Sequence, residues 1–202
     1  MWRTGIFLES IIFLLTLTAA AQENRSEIGV QGTGLFTQSS SGNGTTHSAT
    51  ETGGFLATYR YHLNHWISVE GAYGYDLNSQ KYLSSSSAFR IQSRMNQMTG
   101  AIVLRLPSRP GSRLSPYVLA GGGALLFDPT GNLSDTVFGA QSQTKGVFAY
   151  GAGFNYAIRK RISLRAEYRG LVYGTPDFGF SGFQTNSITH TAQPSVGLAF
   201  RF

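Results

Sequence analysis

The sequence predicts an all-β protein: a signal peptide, then eight antiparallel strands in an up-and-down meander closed into a transmembrane β-barrel. Three observations predict it. Segment after segment alternates apolar residues with small or polar ones, the period of a strand that has one oily face. The connections between segments run long, short, long, short, as when loops lie on one side of a membrane and tight turns on the other. Charged residues make up only 13% of the chain, aromatics reach 13%, and there are 25 Gly; average soluble domains carry roughly twice that charge. Mean hydropathy is −0.10, which excludes a bundle of membrane helices but suits strands that bury every second residue in lipid.

Residues 1–21 combine a basic start, a short apolar run and the small-residue exit Ala19-Ala20-Ala21, the pattern of a secretory signal peptide cleaved between Ala21 and Gln22. Residues 22–202 then form the barrel domain. In the first strand, Glu27 to Thr37, Ile28, Val30 and Phe36 share one face while Gln31 and Thr33 share the other. A low-complexity Ser/Gly/Thr stretch, Gln38 to Thr50, has nothing to bury and reads as a mobile loop. Phe55, Ala57, Tyr59 and Tyr61 alternate with Leu56, Thr58 and Arg60. A tight turn at 62–65 follows, then Ile67, Val69, Tyr73 and Tyr75 set against Ser68, Glu70 and Ala72.

Residues 77–88 read as a second polar loop, and the strand from about Arg90 to Leu106 is clearest at Ile102 and Leu104 against Ala101, Val103 and Arg105. Beyond the Pro/Gly turn at 107–113, Tyr117, Leu119, Gly121, Gly123, Leu125 and Phe127 share one face. A third long loop spans 128–144. Phe148, Tyr150, Phe154 and Tyr156 then oppose Ala149, Gly151, Gly153 and Asn155, and Arg159-Lys160-Arg161 makes the next tight turn. Ile162, Leu164 and Tyr168 oppose Ser163, Arg165, Glu167 and Arg169. The loop 174–187 leads to the last strand, where Val196, Leu198, Phe200 and Phe202 alternate with Ser195, Gly197, Ala199 and Arg201.

An even strand count lets the first strand pair with the last, so no backbone group is left open to hydrocarbon. The lumen of so small a barrel is just wide enough for side chains. Large aromatics therefore belong on the lipid side, and Arg60, Glu70, Arg105, Arg165, Glu167 and Arg169 belong inside as a charge network among small residues. That orientation opposes a soluble lipocalin-like barrel with an apolar interior, and a plugged lumen opposes a narrow pore.

The chain resembles the small eight-stranded outer-membrane barrels that include the OmpA transmembrane domain, OmpX and the opacity-type surface proteins. The resemblance rests on Ser115-Pro-Tyr-Val-Leu-Ala-Gly-Gly-Gly, Tyr150-Gly-Ala-Gly-Phe-Asn-Tyr, Ile162-Ser-Leu-Arg-Ala-Glu-Tyr-Arg and Val196-Gly-Leu-Ala-Phe-Arg-Phe. It implies a bacterial outer-membrane location and a structural or surface-interaction role through four external loops. It also implies an assembly signal at Leu198, Phe200 and Phe202, read by the barrel-assembly machinery. A C-terminal peptidoglycan-binding domain of the OmpA kind is not expected, because the sequence ends with the barrel.

Other chemistries are weaker. The net charge of +6 is scattered, which points to anionic outer-membrane lipids rather than nucleic acid. Without Cys there are no disulfides or thiolate metal sites. Glu70 and Glu167 could pair as hydrolytic carboxylates, but abundant Arg makes salt bridges the simpler reading. His190 invites comparison with the outer-membrane lipid A deacylases, but His190-Thr191-Ala192 lacks their His-x-Ser nucleophile. His62 and His65 have no third ligand nearby, and the Gly clusters complete no phosphate-binding fingerprint. The expectation is a monomer without enzymatic activity, cofactor or metal, whose loops meet an unidentified surface ligand.

Overall fold

The computed structural model describes residues 25–37, 40–42, 45–49, 52–84, 87–129, 142–175 and 188–202. The ten strands are β1 (Ser26–Thr37), β2 (Ser40–Gly42), β3 (Thr45–Ala49), β4 (Thr52–His62), β5 (Ile67–Ser84), β6 (Ser87–Arg105), β7 (Leu114–Pro129), β8 (Gln143–Ala157), β9 (Ile162–Gly174) and β10 (Ile188–Arg201). Eight of them form a closed antiparallel ring in the order β1-β4-β5-β6-β7-β8-β9-β10, with β10 returning to β1. In the closing pair Ile28 lies opposite Phe200 and Gly32 opposite Val196. Two backbone bonds lock its end: Ser26 N–H donates to Phe202 C=O at 3.1 Å, and Phe202 N–H to Ser26 C=O at 2.8 Å. The ladder is interrupted only opposite Pro194 and Gln193, where a proline without an N–H faces β1.

The short turns form as the sequence dictates. Asn64 caps the first, its side-chain oxygen accepting from the N–H groups of Trp66 and Ile67, both at 2.8 Å. In the turn at 158–162, Ile158 N–H and Arg159 N–H both donate to Ile162 C=O at 3.0 Å. The residues on the oily phase point outward. Val30 is 59% exposed, Phe154 40% and Phe200 46%, while Gln31, Glu70 and Arg165 on the opposite phase are almost fully buried inside the ring.

Three expectations change. Residues 77–84 and 87–88 do not leave the sheet: β5 and β6 pair continuously from Ile67↔Leu104 to Ser84↔Ser87. Their 18 and 19 residues exceed the ~9–11 needed to cross a bilayer, so the hairpin projects about 25 Å beyond it. The stretch read as a mobile loop at 38–50 contains the β2–β3 hairpin, which adds onto that projection through Thr45↔Ser84 to Ala49↔Gln80. Finally, β7 has the opposite phase from the other aromatic faces. Tyr117 and Phe127 point inward and are 3% and 0% exposed, and Tyr173 on β9 is also inside.

If the outward phase meets hydrocarbon, Val196→Arg near mid-strand should cost about 2–4 kcal/mol in urea unfolding from lipid vesicles. Ile188→Arg at the outer rim should cost about 0–1 kcal/mol. Equal costs at the two sites would contradict the assigned depth.

Candidate functional site

The lumen is filled in two tiers. The half nearer the short turns holds charge. Arg60 and Glu70 are register partners on β4 and β5, and Glu70 Oε2 accepts from Arg60 Nε at 3.0 Å and Nη2 at 2.6 Å. Across the barrel, Arg169 bridges two carboxylates, donating from Nη2 to Glu70 and from Nε to Glu167, both at 2.5 Å. Arg165 donates to Glu27, to Asn155 at 2.9 Å and to Thr58 at 3.2 Å. Each of these guanidiniums and carboxylates has a side chain no more than 3% exposed. Three carboxylates thus face three guanidiniums. Removing ions from water costs several kcal/mol each, and only such balanced pairing makes the arrangement tolerable.

Tyr117 stands in the middle of this tier. Its hydroxyl donates to Glu167 at 2.6 Å, and the Arg60 guanidinium lies 4.4 Å from the centre of its ring. A desolvated cation over an aromatic face contributes about 2 kcal/mol. Glycines on the inward phase leave room for the tier: a Cβ at Gly153 would lie 2.7 Å from the Tyr117 hydroxyl, and one at Gly29 would lie 2.6 Å from Thr58 Oγ1. In the half nearer the long loops Leu35, Met95, Leu125, Phe127, Leu171 and Tyr173 pack together and are buried, beside the buried Gln97, Gln193 and Asp76, whose Oδ1 accepts from Thr33 Oγ1 at 2.8 Å.

Five of the six charged residues assigned to the interior by sequence are brought together. Arg105 is not: it lines the lumen mouth, half-buried, with no ion-pair partner among the described residues. Sequence reasoning passed over Glu27, Asn155, Thr58 and Tyr117. For Glu27 the signal was present, because it shares the inward phase of Gln31 and Thr33. The carboxylates of Glu70 and Glu167 are both held by Arg169, which leaves neither free for hydrolytic chemistry. His190 faces outward and meets the Tyr150 hydroxyl at 2.9 Å, whereas Ser195 faces the lumen and donates to Gln31; Ser187 lies outside the described residues. His62 Nδ1 sits 2.7 Å from Ser68 Oγ inside the mouth, and His65 packs edge-on against Trp66. No cluster of three metal-ligating side chains occurs among the described residues. Leu198 and Phe200 lie on the outward face of the closing strand, with the Phe202 ring stacked 6.1 Å from that of Phe200. Residues 1–24, including the cleavage site at Ala21 and Gln22, lie outside the described residues.

Breaking the charge tier should be costly. Glu70→Ala leaves Arg60 and Arg169 without their shared carboxylate, and unfolding in urea should show a loss of about 3–5 kcal/mol. Tyr117→Phe keeps the ring and removes the bond to Glu167, for a loss of about 1.5–3 kcal/mol. A change under about 0.5 kcal/mol for Glu70→Ala, the level of an ordinary surface substitution, would show that the network is not holding the lumen.

A family model described as the outer membrane protein beta-barrel domain matches residues 10–202. No curated protein matches the sequence. Among solved structures, the outer membrane protein OprG from Pseudomonas aeruginosa is 13% identical with a TM-score of 0.64, over 90% of this chain and 97% of that one. Neisserial surface protein A is 14% identical with a TM-score of 0.59, over 88% and 97%. Ail, the attachment invasion locus protein of Yersinia pestis, solved with the heparin analogue sucrose octasulfate, is 19% identical with a TM-score of 0.54, over 90% and 100%. At these identities the likeness is one of fold.

Proposed function

This chain belongs to the outer membrane protein β-barrel family, and on that premise we propose that it is a plugged, rigid scaffold whose external strands engage a partner at the cell surface. It resides in the bacterial outer membrane, with its outward face against lipid. The observation that carries the reading is the pairing of a filled lumen with a β5–β6 hairpin that runs beyond the bilayer and carries β2 and β3 on its edge. A barrel filled by ion pairs and packed apolar side chains is built to hold something up, not to let solutes through.

The external segments 38–51, 77–94, 128–144 and 174–187 carry Lys81, Arg90 and Arg94 against Glu51, Asp128, Asp135 and Asp177, and are rich in Ser, Thr, Gly and Asn. This balance does not suit a polyanion such as the heparin analogue bound by Ail. It suits a neutral hydroxyl-rich glycan or a protein surface met by hydrogen bonds and aromatic contacts. Three further parts belong to the same reading. Residues 1–21 direct export and are removed before Gln22. Leu198, Phe200 and Phe202 are read by the barrel-assembly machinery. The protein works as a monomer without catalytic activity, a reading supported by a ring with no open strand edge at membrane depth and by carboxylates committed to arginine.

Reconstitution into planar bilayers should give folded protein, identified by its mobility shift on heating, with a flat current baseline. Reproducible ohmic channel steps from the same preparation would contradict the plugged scaffold.

A further inference from the structure

The mouth of the barrel opposite the external hairpin opens into a cleft of about 90 Å3 lined by Arg113, Arg159, Lys160, Arg161, Arg201 and Glu27. Five cations thus meet one carboxylate, and that carboxylate is already taken, since Glu27 accepts from Arg165 and, at 3.2 Å, from Arg201. Arg113, Arg159, Lys160 and Arg161 have no ion-pair partner among the described residues. The Nε of Arg201 is buried with no hydrogen-bond acceptor.

The backbone beneath these side chains is fixed. Ala157 N–H donates to Arg113 C=O at 2.8 Å, tying the turn before β7 to β8. Arg201 N–H donates to Arg161 C=O at 2.9 Å, tying the β8–β9 turn to β10. The turns that carry these cations are therefore held around one space, with the Arg113, Arg159, Lys160 and Arg161 side chains exposed at its rim. The guanidinium fork matches a tetrahedral oxyanion. The volume is several times the ~10–15 Å3 that one water needs, enough for a small anionic group but not for a folded polymer.

We propose that this cleft binds a phosphate-class anion from the periplasmic side. Two sources share that chemistry: free phosphate, and the headgroup of an anionic phospholipid in the inner leaflet. Leu114, Tyr156 and Ile158, at 41%, 41% and 50% exposure on the outward side of the same turns, offer acyl chains a surface close to the cations. The proposal needs the periplasmic placement of the short turns but not the plugged-scaffold role.

The test uses the full folded chain in a phosphate-free maltoside detergent, titrated calorimetrically with inorganic phosphate at low ionic strength. The comparison is Arg113→Gln/Arg159→Gln/Arg161→Gln, with its folding checked by heat-dependent gel mobility. In a second arm both proteins are reconstituted in phosphatidylcholine vesicles with and without phosphatidylglycerol, and the phosphatidylglycerol retained through delipidation is measured. Saturable binding that weakens about ten-fold or more in the variant, and falls as salt is raised, supports the site. A response to phosphate alone assigns a soluble anion, and one to phosphatidylglycerol alone assigns a headgroup. No response in either arm, or an equal response from the folded variant, overturns the proposal.

Discussion

Hydrocarbon offers no water to an unpaired backbone group, and each such group costs several kcal/mol there. The seam between β1 and β10 is how this chain meets that constraint, joining segments at opposite ends of the domain from Glu27↔Arg201 to Thr37↔Thr191. Closure sets the demands on both faces. The outward phase must be apolar, because it meets lipid with no second sheet to cover it. The inward phase must fill a narrow core from whatever eight strands can deliver. Apart from the break at Pro194, the backbone of the ring is paired before any side chain is considered, which leaves the lumen and the external strands as the places where this sequence is specific.

The lumen solves its filling problem differently at its two ends. Near the short turns, ions are packed as balanced pairs around Tyr117, with glycine opposite the bulkiest groups. Near the long loops, leucine, phenylalanine and tyrosine pack together around a few buried polar groups, Asp76, Gln97 and Gln193. Charge pairs gain strength in a low dielectric and demand fixed geometry, so the ionic tier favours one arrangement of eight strands over slipped alternatives. A frame held this firmly can carry a long hairpin outward without an enclosing domain, which links the interior to the proposed surface role.

Where lipid lies on one side and a polar lumen on the other, alternation alone identified the faces: Ile28, Val30 and Phe36 in β1, or Phe148, Tyr150 and Phe154 in β8. Strand β7 was ambiguous because the side chains it sends inward, from Tyr117 among the ions to Phe127 in the apolar cluster, are themselves oily. Tyr117, Leu119, Leu125 and Phe127 on one side and Val118, Ala120 and Leu126 on the other are both oily, so composition does not distinguish them. The extension of β5 at 77–84 was illegible for another reason. It is held by backbone pairing with Ser87–Arg105, and outside the bilayer no burial demand writes a period into the side chains. In the site, the Arg and Glu residues announced themselves as charges on a small-residue face. Tyr117 did not, because a phenol buried among ions looks in sequence like one more girdle aromatic.

The most direct test of closure exploits the absence of cysteine. Gly32 and Val196 lie opposite each other across the seam and face outward, and a side chain at Gly32 meets nothing closer than 3.9 Å. Gly32→Cys/Val196→Cys, refolded into lipid vesicles and mildly oxidised, should form an intramolecular disulfide in nearly every folded molecule, visible as a non-reducing gel shift. Gly32→Cys/Leu198→Cys, displaced by two residues, lies on a diagonal of about 7–8 Å and should not. A seam that fails to cross-link at Gly32–Val196, or that links equally well in the displaced pair, would mean that the barrel is not closed in this register.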